Sequence, residues 1–282
     1  MHRKYTPSVQ TAALVYRDHR FNIEYFYRHG SKDIIVFAHG LGGCKENFWE
    51  AVKSEALCNN TLIAMDNPGT GNSTYYDHLC WNIDDLVNVM ELFITHLALD
   101  SFWLCGSSMG GLTTLRYLKG ANAHKVKGYI NIEGNLLAED CMFSAKVVRH
   151  DWPTFQQQIF DNTVREMKSK GNTGYHIIAN NLQLNTDVHA YYQYSFQTVA
   201  YSSTGELLQQ YLALELPALF IYGSANKHLS YLSLLREQGK QVAAISNSDH
   251  FVFYDNPFEL YQVIGNFVQQ HSCSTVIPGY CN

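Results

Sequence analysis

Ser108 lies in the run Gly106-Ser107-Ser108-Met109-Gly110, with a glycine two positions away on each side. A serine hydroxyl is a weak nucleophile until a neighbouring base takes its proton, and its attack on an acyl carbon gives a covalent intermediate. His250, in Asn247-Ser-Asp-His250-Phe, is the histidine placed for that work. It comes late in the chain and follows an apolar run. The sequence holds 13 histidines, so position rather than residue type singles it out. His271 falls at the end of the last expected helix instead. Ser107 is out of register and reads as structural. Upstream, His39-Gly40-Leu41-Gly42-Gly43 is a glycine loop where backbone can approach a ligand closely, with His39 read as holding the loop.

These residues sit at the ends of recognisable elements. Phe21 to Tyr27 places large apolar residues on alternate positions, the period of a strand with one buried face. Ile34 to Ala38, Thr61 to Met65 and Ser101 to Cys105 are short continuous apolar runs, as expected of central strands buried on both faces. The first ends in His-Gly, the second in Asp-Asn-Pro-Gly, and the third in the Ser108 turn. Asp84 to Leu97 is predicted helical, with two acids near its start where the helix dipole favours them. Met109 to Leu118 is a second predicted helix. A strand running straight into a sharp turn and a helix is the setting that pushes a serine hydroxyl out at the sheet's edge. Alternation of strand and helix predicts an α/β fold with a largely parallel sheet. Val126 to Ile132 continues the strands. Residues 136–213 then give helical pieces rich in Tyr, Gln and Asn and no clear strand, so they read as an insert. The rhythm resumes with a strand at 218–222, a helix near 229–238, a strand at 241–246 and a helix after Pro257.

Composition narrows the class. Of 282 residues, 46% are hydrophobic and 16% charged, enough for a sizeable core and unlike a disordered chain. A formal net charge of −5 with scattered basic residues argues against a nucleic-acid surface. No apolar run approaches the ~20 residues that span a bilayer. The N-terminus has no apolar signal core, so the expected location is cytoplasmic. The seven cysteines are odd in number and form no CxxC, which predicts free thiols rather than a disulfide framework or a zinc cluster. Cys273 and Cys281 belong to an expected tail from 272 to 282. No metal or cofactor motif is present, and none is expected.

The motifs HGLGG, DNPGTGNS (Asp66 to Ser73), GSSMGG and SDHF, in this order, resemble those of the α/β-hydrolase superfamily over residues 34 to about 270. The resemblance implies an eight-stranded, mostly parallel sheet flanked by helices. It implies a core of 1–135 and 214–271, and a helical lid at 136–213 after strand six. It implies oxyanion donors at the Leu41 and Met109 amides and the chain order Ser, acid, His. It gives Asp66 a structural part. The acid usually follows strand seven, where this chain has Asn226. Glu133, ending the strand 126–132, is the leading candidate instead, because a carboxylate there is costly unless paired and a histidine would pair it. Asn226 with a bound water and Asp249 remain alternatives, although Asp249 adjoins His250 and neighbouring side chains in extended chain point apart. The implied activity is hydrolysis of a carboxylic ester or related acyl bond of a largely apolar small molecule through a Ser108–His250–Glu133 triad. Acyl transfer, thioester, lactone or C–C bond cleavage on the same triad is the alternative, and a non-catalytic binding protein the third.

Overall fold

The computed structural model describes residues 7–272. Of the tail expected at 272–282, Ser272 ends the last helix, and the rest, with Cys273 and Cys281, lies outside the described residues. Eight strands form one sheet in the order β1-β2-β4-β3-β5-β6-β7-β8. They are β1 (Ser8–Tyr16), β2 (His19–Arg28), β3 (Ile34–Ala38), β4 (Thr61–Met65), β5 (Phe102–Ser107), β6 (Val126–Ile132), β7 (Ala218–Gly223) and β8 (Gln241–Ile245). β1 pairs antiparallel with β2, and β2 antiparallel with β4; the remaining pairings are parallel. The parallel strands all point their C-terminal ends toward one rim, which in an open α/β sheet is where ligands bind.

Period-2 alternation divides the core into two faces. Val36, Ala38, Phe102 and Leu104 point to one side, where they meet Leu86, Val89 and Phe93 of α1 (Ile83–His96) and Leu112 and Leu115 of α2 (Met109–Tyr117). Ile35, Phe37, Trp103 and Cys105 point to the other, against Leu260, Ile264 and Phe267 of the last helix. Central strands buried on both faces account for the unbroken apolar runs in the sequence. α1 starts at Asn82, whose side chain accepts from the Asp85 N–H while Asp85 accepts from the Asn82 N–H. That reciprocal cap satisfies two otherwise orphaned donors.

β1 is not marked in the sequence. Only Ala12 and Leu14 of its nine residues are buried. As an exposed edge strand it needs no apolar alternation, so it left no periodic signal.

Between β6 and β7 the chain leaves the sheet and forms α3 (Phe160–Ser169), α4 (Thr173–Asn185), α5 (Val188–Ser202) and α6 (Glu206–Leu212), preceded by shorter turns. α7 (Leu232–Glu237) and α8 (Pro257–Ser272) complete the structure. Among the described residues no helix is long and apolar enough to cross a membrane, and the five cysteines there are unpaired.

Candidate active site

Ser108 occupies the turn between β5 and α2 with φ 54° and ψ −126°. A positive φ is uncommon for a residue with a Cβ and costs of the order of 1–3 kcal/mol, so the surroundings must impose it. They do so by hydrogen bonds. The Ser108 N–H donates to Ile132 O at 3.1 Å, and Ser108 O accepts from the Gly111 N–H at 2.8 Å. The flanking glycines are demanded by contact: a Cβ on Gly106 would lie 2.4 Å from Gly110 O, and one on Gly110 would lie 2.3 Å from Ala38 O. The elbow is therefore pressed against the end of β3. The loop after β3 reaches Ser108 itself, since a Cβ on Gly40 would stand 2.8 Å from Ser108 Cβ.

Glu133 follows β6 directly and also has a positive φ, 44°. Its N–H donates to Ile221 O of β7 at 2.8 Å, which turns the side chain over the end of that strand. The carboxylate is 5% exposed and fully engaged. Oε1 accepts from the Gly223 N–H at 2.6 Å, and Asn226 Nδ2 lies 3.0 Å from both oxygens. Oε2 is 2.7 Å from His250 Nδ1. Because the other contacts of Glu133 are N–H donors, it acts as an acceptor here, and Nδ1 carries the ring proton. The Nε2 lone pair is then free to take a proton. No direct hydrogen bond joins Ser108 Oγ to His250 among the described residues. Such contacts are often long until substrate is bound.

The other two acid candidates are placed differently. Asn226 turns its amide NH₂ toward the carboxylates of Glu133 and Asp249, at 3.0 and 3.1 Å, and makes no hydrogen bond to the imidazole among the described residues. Asp249 accepts the backbone N–H of His250 at 2.8 Å and does not bond its ring. The donor part played by Asn226 and by the Gly223 amide carried no sequence signal beyond the loss of an acid at 226.

Leu41 and Met109 meet at a cavity of about 10 Å³ that His39, Gly42, Tyr191 and Tyr194 also border. Met109 begins α2, so its N–H has no carbonyl in a preceding turn to bond. Beside His250 lies a second cavity of about 60 Å³, bordered by Glu133, Asn226, Asp140 and Met142. An open hollow of about 670 Å³ between the end of α2 and α6 holds none of these groups.

A family model for the alpha/beta hydrolase fold matches residues 33–169. Among solved structures, a carboxylesterase of the thaumarchaeon Nitrososphaera gargenis superposes with a TM-score of 0.75 at 15% identity, covering 94% of this chain and 100% of its own. The esterase EaEST of Exiguobacterium antarcticum gives a TM-score of 0.75 at 17% identity, covering 92% and 100%. This is an α/β-hydrolase-fold protein. A proline iminopeptidase of Clostridium botulinum is 28% identical over 102 residues, 36% of this chain and 35% of that protein. The chain thus matches about a third of the length of its curated relatives.

Two buried groups brace the rim of this α/β-hydrolase fold. His39 Nε2 accepts the Asn67 N–H at 3.0 Å, so its proton is on Nδ1, which donates to Gly40 O at 2.8 Å. Complete burial lowers its pKa to about 4. Asp66, wholly buried, accepts the Lys45 N–H at 2.6 Å and Lys45 Nζ at 2.9 Å. Both groups tie the loop after β3 to the loop after β4.

Proposed function

We propose that this protein is a serine hydrolase that cleaves a carboxylic ester or related acyl bond through an acyl-enzyme. Ser108 Oγ attacks the acyl carbon and passes its proton to His250 Nε2. Glu133 holds the imidazole by Nδ1 and stabilises the imidazolium that forms. The Leu41 and Met109 amides receive the oxyanion. His250 then returns its proton to the leaving group. Water, activated by the same histidine, releases the acid.

The observation that carries this reading is the 2.7 Å contact between Glu133 Oε2 and His250 Nδ1, on the same sheet rim as the strained Ser108 turn. The helices at 136–213 act as a lid in this account, since Tyr191 and Tyr194 of α5 border the proposed oxyanion cavity. The substrate is a small acyl compound. Esterases among the structural neighbours favour an ester, and the proline iminopeptidase likeness makes a prolyl amide the natural comparison substrate.

The test compares Glu133→Gln with Asn226→Ala on p-nitrophenyl esters and a prolyl p-nitroanilide. Loss of the carboxylate behind a catalytic histidine costs about 10⁴ in kcat in a serine protease. A fall of that order is expected for Glu133→Gln, with Asn226→Ala retaining far more activity. The reverse ranking would reassign the acid.

A further inference from the structure

Tyr191 is 1% exposed, and its hydroxyl has no hydrogen-bond partner among the described residues. A buried O–H left unpaired costs stability, so its persistence calls for an account. Tyr117, Tyr211 and Tyr261 also bury hydroxyls with no partner in full hydrogen-bond geometry among the described residues, though Glu91 lies beside Tyr117 and the Ala51 backbone beside Tyr261. Of the four, Tyr191 alone borders the cavity shared by Leu41 and Met109. That cavity, about 10 Å³, has the volume that admits a single oxygen-sized group.

The position of the ring is fixed on both sides. Phe155 stacks parallel to it at 6.1 Å between centroids, and Phe160 meets it edge-on at 6.0 Å. Gly42, with φ 71°, lets the phenol come close: a Cβ there would stand 3.1 Å from Tyr191 Cε2, the ring carbon beside the one bearing the hydroxyl. The start of α5 is stitched to the rim loops. Asp187 N–H donates to Gly69 O at 2.8 Å, Gly71 N–H to Asn185 O at 2.8 Å, and Tyr194 O–H to Pro68 O at 2.9 Å. Thr70 and Thr186 form an isolated bridge. A donor held this way needs no reorganisation when charge develops nearby.

We infer that the Tyr191 hydroxyl is a third hydrogen-bond donor to the oxyanion, supplied by the helical insert. The inference rests on the acyl-transfer reading above. As Ser108 Oγ bonds to the acyl carbon, its proton moves to His250 and the carbonyl π pair moves onto oxygen. Tyr191 donates a hydrogen bond to that oxygen and keeps its proton. Burial raises the phenol's pKa, so it stays an O–H donor.

Tyr191→Phe removes one atom and leaves the packing intact. The expected result is a kcat on p-nitrophenyl acetate lowered about 100-fold, KM within about threefold, and a melting temperature unchanged or raised. A kcat within threefold of wild type overturns the inference, as does a clear fall in melting temperature, which would show the hydroxyl to be a structural donor. Fluorophosphonate labelling separates this inference from the reading beneath it. Failure to label Ser108 in the wild type removes both. Labelling of Ser108 at the same rate in wild type and Tyr191→Phe overturns the tyrosine's part alone.

Discussion

A buried carboxylate needs donors, and Glu133 finds them on three elements: the Gly223 amide of β7, the Asn226 side chain and the His250 ring. This explains why residue 226 is an amide. A second carboxylate there would stand about 3 Å from Glu133 and 3.1 Å from Asp249, where like charges repel strongly at low dielectric. His39 poses a related constraint, since it is buried neutral with its pKa lowered to about 4 from 6.5. The unfolded chain takes up a proton on this histidine below pH 6.5, whereas the folded chain resists until near pH 4. The unfolded state therefore binds more protons in that window, and His39 withdraws stability as pH falls through it. The loss reaches about 2 kcal/mol at pH 5. The melting temperature of wild type relative to His39→Gln is accordingly expected to fall between pH 7 and pH 5. Parallel profiles would contradict the assignment. Ser108, His250 and Glu133 could each be nominated from sequence, because a motif, a chain position and a strand end marked them. The donor geometry of Asn226 could not be, because it depends on three segments that meet only in the fold.

At the scale of elements, the parallel strands were legible because burial on both faces forces continuous apolar runs. β1 was not, since most of it faces solvent. The sharp turns were legible through their glycines, and Gly42 shows how much they carry. Its φ is 71°, and a Cβ would lie 2.3 Å from Leu182 Cδ2 of α4. Gly42→Ala thus meets both a backbone penalty of about 1–2 kcal/mol and a clash with the insert. Urea denaturation is expected to show a loss of at least that size, and p-nitrophenyl acetate hydrolysis is expected to slow if the neighbouring Leu41 amide serves the oxyanion as proposed. A variant as stable and as active as wild type would show the loop to be tolerant, and the oxyanion role of Leu41 would lose its support.

For the whole molecule, the sheet presents its catalytic candidates along one rim, and the insert is fastened to that rim at Pro68, Gly69 and Gly71. The α/β-hydrolase fold was legible from four short motifs in order. What the insert encloses was not, because tyrosines at helical spacing pack a core and line a cavity equally well. The cavities beside His250 and Leu41, about 60 and 10 Å³, are far below the ~300 Å³ at which drug-sized ligand pockets begin. If the insert serves as the proposed lid, substrate entry requires its displacement. The proposed mechanism requires that Ser108 become acylated. Rapid mixing with p-nitrophenyl acetate, followed by mass analysis of the acid-quenched protein, tests this directly. A one-acetyl mass increase is expected on the peptide containing Ser108, absent from Ser108→Ala. Ester turnover that persists in Ser108→Ala, or an acetyl group located on another residue, would contradict it.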